Sequence, residues 1–196
     1  MKNILRNFVF IVWAVALLPV NVSAQNRRDK EQTYVLEQPY EVTKITPSQG
    51  KKIKNVILMI GDGMSLMHVY SAWTANRGKL FLDNCQAVGL SKTYCADKGA
   101  GGTAIASGQK TNYHYVGVDT LGHPLKSLVD FAAAKGKSTG IAVTCRLWDA
   151  TPADFCCHNK DRDAESEIVT DYVNCNADYV FGGGAKLFEN REDGRD

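Results

Sequence analysis

Lys54-Asn55-Val56-Ile57-Leu58-Met59-Ile60 runs apolar into Gly61-Asp62-Gly63-Met64, and this stretch sets the reading of the chain. The run lacks the alternation of a half-exposed strand, so it reads as a buried parallel strand. In open α/β sheets, ligands bind beyond the carboxyl ends of the strands. Asp62 would stand there between two glycines, able to approach a metal or phosphate. The same residues could make only a tight turn with Asp62 capping the next helix. They are not a dinucleotide fingerprint, because Leu66 occupies the third glycine's place.

Working outward, Ser65 to Asn76 has Leu66, Val69, Tyr70 and Trp73 at helical spacing, with Ser65 as N-cap. Gln86 to Tyr94 reads as a second strand. Gly99 to Ser107, rich in Gly and Ala, reads as a closely packed helix. Residues 108–124 form a loop. Leu125 to Lys135 is a helix ended by Gly136, and Ser138 to Thr144 is a third strand. Pro152 to His158 and Ala164 to Cys175 read as helical, and Ala177 to Phe181 as a fourth strand before Gly182-Gly183-Gly184. Strands alternating with helices predict an α/β fold with a parallel sheet.

Upstream, Lys2 and Arg6 precede an unbroken apolar run from Phe8 to Leu18, and Val22-Ser23-Ala24 offers small residues. This is the layout of a signal peptide (residues 1–24) cut after Ala24, and it predicts a secreted or periplasmic protein. The run would rise about 16 Å as a helix, short of the roughly 30 Å hydrocarbon core. No membrane association is expected once it is removed. Residues 25–52 are polar and interrupted by Pro39 and Pro47, which predicts an exposed arm before a domain at 53–196.

The 196 residues are 44% hydrophobic and 22% charged, which excludes a disordered or fibrous chain. Lys+Arg total 23 and Asp+Glu 21, and the two excess cations are Lys2 and Arg6. The exported portion is therefore neutral and gives no support to nucleic-acid binding. Export permits disulfides. Six cysteines allow fifteen full pairings, so connectivity stays open. The reading is of mostly small buried residues with one or two bridges at most.

Two further groupings could carry chemistry. Asp149-Ala150-Thr151-Pro152 could cap a Pro-initiated helix or offer hard oxygen ligands to magnesium. Downstream lie His158 and Arg162, and Arg162 could be a solvated surface residue or a bidentate phosphate clamp. Gly99-Ala100-Gly101-Gly102-Thr103-Ala104 opens a helix, either as an anion seat or for close packing.

Together and in this order these pieces resemble the alkaline phosphatase family. The resemblance includes Gly108-Gln109-Lys110-Thr111, Gly117-Val118-Asp119 and Ala177-Asp178-Tyr179-Val180, and covers about residues 53–190. It implies the N-terminal part of a three-layer α/β sandwich with a mostly parallel central sheet. It also implies an enzyme that hydrolyses phosphate monoesters through a phosphoseryl intermediate, with two zinc ions and a magnesium.

By resemblance, Asp62 bridges a zinc and the magnesium, Thr151 is a magnesium ligand, and Asp149 acts through the magnesium's water shell. Arg162 grips phosphate, and Asp97 orients Arg162. The family is often dimeric, so a homodimer of the full-length parent is compatible with it.

This chain departs from the family at the nucleophile. The family reads Asp-Ser before small residues, whereas here Asp97 is followed by Lys98 and Gly99. Either Lys98 replaces the serine, or a short block carrying it has been lost before Gly99; the intact flanks favour loss. Ser107, at least two turns along the helix, is no substitute. The family's remaining zinc ligands and its magnesium-binding Glu belong to a C-terminal half. Asp119 with His123, and Asp154 with His158, mimic zinc-ligand spacing at unrelated places. The expectation is an incomplete and inactive chain, with a degenerate phosphate- or metal-binding domain as the alternative.

Overall fold

The computed structural model describes residues 35–46, 50 and 52–195, so the signal segment lies outside the described residues. The chain divides into two compact units, up to Val88 and from Gly89 onward.

In the first unit, helix α1 spans Leu66–Ala75. Ser65 caps it, as its sequence predicts, in a reciprocal box: the Ser65 N–H donates to His68 Nδ1 at 3.0 Å. Residues 35–46 lie without regular structure and are tied to the C-terminal end of α1 and the residues just beyond it. The Leu36 N–H donates to the Ala75 carbonyl at 2.9 Å, and Asn76 Nδ2 donates to the carbonyls of Tyr40 and Lys79. Asn84 holds the same segment from a 3-10 turn at Phe81–Asn84, accepting from the Ile45 N–H and donating to the Thr43 carbonyl.

Two expectations fail here. Residues 54–60 form no strand, and Val56, Ile57 and Met59 are over four-fifths exposed. Residues 86–94 likewise form no strand, and Val88 and Leu90 stand almost fully in solvent. The composition favours a strand in both, but a strand exists only when its backbone groups find a ladder partner. Neither segment has one among the described residues. The apolar face of α1 is also largely uncovered, with Leu66 79% exposed.

The second unit holds the core. Helix α2 spans Lys98–Ser107, α3 Leu128–Ala133, α4 Ala150–Ala153 and α5 Glu165–Val173. Strands β1 (Gly140–Arg146) and β2 (Tyr179–Gly183) pair in parallel, with Gly140 opposite Tyr179 and Ala142 opposite Phe181. The β1–α4–α5–β2 order is the crossover that a parallel pair requires. The elements match the α/β reading, but the described sheet has two strands. α3 and α4 are shorter than expected. Residues 154–156 continue past Ala153 as turns rather than as helix, with the Cys156 and Cys157 N–H groups both donating to the Ala153 carbonyl.

Val116, Val129, Leu147, Trp148, Ile168, Val169 and Tyr172 fill the space around this crossover with Ala150, Ala153, Cys156 and Cys157. Burying each large apolar side chain contributes about 1.5–3 kcal/mol. The 108–124 loop is locked on by an antiparallel bridge, Val116 to Asn159. Gly117 enables that contact. Its φ is +60°, and a Cβ would fall 1.9 Å from the Cys157 carbonyl oxygen. No helix among the described residues is long and apolar enough to cross a membrane.

Candidate phosphate site

The N-terminus of α2 and the loop after α4 meet in a charged cluster. Asp97 is the N-cap of α2, and its Oδ2 accepts from the Ala100 N–H at 3.1 Å and the His114 N–H at 3.2 Å. Its Oδ1 accepts from Arg162 Nη1 at 3.1 Å. Burial by itself would raise the Asp97 pKa. The hydrogen bonds from Ala100, Arg162 and His114 outweigh it and hold the carboxylate below its ordinary range.

Arg162 is placed by its backbone, whose N–H donates to the His114 carbonyl at 2.9 Å. Its second terminal nitrogen, Nη2, donates to Asp149 Oδ1 at 3.3 Å. Asp149 is the N-cap residue of α4 but makes no side-chain capping bond, so its carboxylate turns to Arg162. Arg162 is 19% exposed, Asp149 18% and Asp97 6%. The guanidinium is thus oriented by two carboxylates and still reaches solvent. A guanidinium has five N–H donors, so two such contacts leave donors for an oxyanion.

Lys98 is the first residue of α2, directly after the capping Asp97. Its Nζ lies 3.9 Å from Asp149 Oδ1, and its side chain is 45% exposed. Lys98, Arg162 and the backbone of the first turn of α2 supply positive charge around one place, balanced by Asp97 and Asp149. Ser107 lies at the far end of α2 and donates to the Thr103 carbonyl at 2.7 Å, away from this cluster. Thr151 lies in α4, two residues past Asp149. Asp62 belongs to the first unit, where it is exposed.

Of the two look-alike pairs, Asp119 and His123 stay together and Asp154 and His158 do not. His123 Nδ1 lies 3.0 Å from Asp119 Oδ2 in the exposed loop. The Asp119 pKa is lowered to about 2, first by the His123 backbone N–H and, against an opposing desolvation effect, by the His123 ring and the Leu121 N–H. Asp154 and His158 point to different partners. His158 Nε2 lies 3.0 Å from the Leu125 carbonyl. Asp154 Oδ1 accepts from Thr103 Oγ1 at 2.7 Å, and that hydroxyl oxygen accepts from the Gly117 N–H at 2.8 Å.

Two features were not singled out in the sequence. Asp154 is almost wholly buried, and burial pushes its pKa up to about 9, partly opposed by its hydrogen bonds. An acid within the apolar run Pro152–Cys157 was the available signal. His114 joins Asp97 to Arg162 through its own N–H and carbonyl, at φ +67°. Any residue type offers those backbone groups, so no sequence signal pointed to it. The His114 ring lies 3.7 Å from Asp161 and 3.9 Å from Asp163, both well exposed.

Asp149 and Thr151 offer hard oxygens, as does Asp62 in the other unit, and these suit magnesium in kind. Zinc is a poorer fit to these residues alone. A catalytic zinc typically takes about three protein ligands. Of the residues singled out for metals, only Asp62 was assigned to zinc.

The sequence profile of the alkaline phosphatase family matches residues 53–196. Alkaline phosphatase 4 of Bacillus subtilis is 35% identical over 162 residues, covering 72% of this chain and 35% of that protein. Streptomycin-6-phosphate phosphatase of Streptomyces griseus is 33% identical over 147 residues, covering 67% of this chain and 32% of that protein. Among solved structures, the cold-active alkaline phosphatase of Shewanella sp. is 38% identical with a TM-score of 0.51, covering 53% of this chain and 28% of that one. The chain thus spans about a third of the length of the curated relatives it matches. With the profile match running through the cap of α2, the Asp149–Thr151 turn and Arg162, the chain belongs to the alkaline phosphatase family.

Proposed function

We propose that this chain carries the phosphate-gripping part of an exported alkaline phosphatase, and that its nucleophilic serine is missing, either replaced by Lys98 or lost with a short block before Gly99. The observation that carries this reading is the double engagement of Arg162 by Asp97 and Asp149 beside the first turn of α2. Asp97 performs the cap and the ion pair at once, with Lys98 following it as the first helical residue.

In this reading Arg162 binds two phosphate oxygens through its planar fork, and Asp97 and Asp149 fix its orientation. The α2 N-terminus adds a favourable field, and Lys98 adds a cation. Asp149 and Thr151 would hold magnesium, directly or through its waters, and Asp62 is a metal ligand by family resemblance alone. In such phosphatases the bound metals supply charge stabilisation on the reacting oxygens. A lysine has no hydroxyl to carry a phosphoseryl intermediate, and two zinc ions need donors beyond those assigned. The full chain is therefore expected to bind phosphate without turning over phosphate monoesters. The parent enzyme's substrate class is phosphate monoesters.

The test pairs calorimetric titration of the full chain with inorganic phosphate, plus magnesium, with an aryl phosphate assay in zinc and magnesium buffer. Saturable phosphate binding that Arg162→Ala abolishes, with no aryl alcohol released, supports the reading. No heat at millimolar phosphate sinks it. Turnover that disappears with Arg162→Ala overturns the inactive assignment instead. Export has its own check, since a mature protein beginning at Gln25 is expected in the periplasmic or secreted fraction.

A further inference from the structure

Outside the phosphate site, the second unit brings two thiols together in its core. Cys156 follows α4 and is buried, and Cys175 follows α5 and is half-buried. Their side chains share a hydrogen bond in which the Cys156 S–H donates to the Cys175 sulfur.

The approach is built by the backbone around both residues. Ser127 and Asp130 are the N-cap and third residue of α3. Ser127 Oγ donates to the Phe155 carbonyl at 2.7 Å, and Asn176 Nδ2 donates to Asp130 Oδ1 at 2.8 Å. The residue before Cys156 and the residue after Cys175 are therefore anchored to one helix terminus. Cys157 is turned elsewhere, its S–H donating to the Ile168 carbonyl at 3.4 Å. Cys85 belongs to the other unit.

We propose that Cys156 and Cys175 are the chain's disulfide pair, closing when the folded protein meets an external disulfide. The chemistry is asymmetric. The hydrogen bond from Cys156 lowers the Cys175 pKa, while that same bond and burial raise the Cys156 pKa. Asp130 is the acid whose charge both sulfurs feel, and it opposes ionisation of each.

Cys175, the more accessible and more acidic thiol, attacks one sulfur of the external disulfide as a thiolate. A Cys175–S–S–R bond forms, the external S–S bond breaks, and one RS⁻ leaves to take up a proton. Cys156 then loses its proton, attacks the Cys175 sulfur and expels the second RS⁻. Two protein thiols become one disulfide, and the external disulfide is reduced to two thiols. The bridge would staple the segment after α4 to the end of α5.

The experiment incubates the full chain in oxidised glutathione, blocks remaining thiols by alkylation without reduction, and maps peptides by mass spectrometry. The expected result is one cross-linked peptide joining Cys156 to Cys175, with the titratable thiols falling by two from six. The Cys156→Ser variant is expected to retain a glutathione adduct on Cys175, and Cys175→Ser to form no cross-link at Cys156. A parallel reaction in denaturant should scramble the pairing. All six thiols remaining free overturns the proposal. So does a dominant link from either cysteine to another residue, or a native mixture equal to the denatured one.

Discussion

Arg162 Nη1 lies 3.1 Å from Asp97 Oδ1, while the other oxygen of the same carboxylate caps helix α2. One side chain thus ties the start of a helix to an arginine 65 residues away in sequence. The cap fixes the carboxylate, and the carboxylate fixes the guanidinium. Positioning of the Arg162 guanidinium is in this way coupled to the stability of α2.

Asp97→Asn should keep most of the cap and lose the ion pair, whereas Asp97→Ala loses both. The expected cost is about 1 kcal/mol for the first and about 2–4 kcal/mol for the second, read by denaturant unfolding. The sign with pH is determined. Asp97 is lowered on folding, so its contribution is present above the ordinary 3.8 and fades as pH falls through the lower folded value. Asp97→Asn should flatten that acid limb of the stability curve.

Asp154 predicts the opposite slope. Its folded pKa of about 9 stands above the ordinary 3.8, so the folded state holds a proton that the unfolded state releases between those values. Stability should therefore fall as pH rises from about 5 to 8. Asp154→Asn, which cannot ionise, should be insensitive over that window and more stable than wild type at pH 8 by about 1–4 kcal/mol. Equal pH slopes for the two proteins would show that Asp154 is charged in the fold.

Neighbouring glycines of α2 should respond in opposite directions to the same substitution. A Cβ at Gly102 would fall 1.9 Å from Asp154 Oδ2, whereas one at Gly101 meets nothing within 4 Å. Gly101→Ala should stabilise by up to about 1 kcal/mol through helix propensity. Gly102→Ala should destabilise by about 1–3 kcal/mol despite the same gain, because Asp154 and Thr103 must shift. Thermal melts of the two variants decide it.

Arg162→Lys retains the charge but loses the planar fork held by Asp97 and Asp149. Phosphate affinity should drop by about tenfold or more, with a smaller loss for Lys98→Gln, whose cation lies on the rim. Titration with inorganic phosphate at fixed ionic strength gives both numbers.

Much of the second unit was legible in the sequence. β1, β2, α2 and α5 came from apolar period, glycine punctuation and caps. These are local signals, and here the tertiary partners were present to satisfy them. Residues 54–60 and 86–94 were misread because β-propensity records only a willingness to pair. The site was legible as a set of motifs, through Asp97, Asp149 and Arg162. The His114 backbone bridge was not, since it depends on no side-chain identity.

By itself, the sequence determined the family, the α/β elements around the core and the residue types of the candidate site. These come from short-range patterns and from motifs whose order is specific. The tertiary structure alone decided which partners those residues take: Asp97 and Asp149 on one guanidinium, Asp154 on the Thr103 hydroxyl, and Cys156 beside Cys175. The physical reason is that contacts between residues distant along the chain are set by how the helices and the parallel strand pair pack together. Local composition and spacing carry no record of that packing.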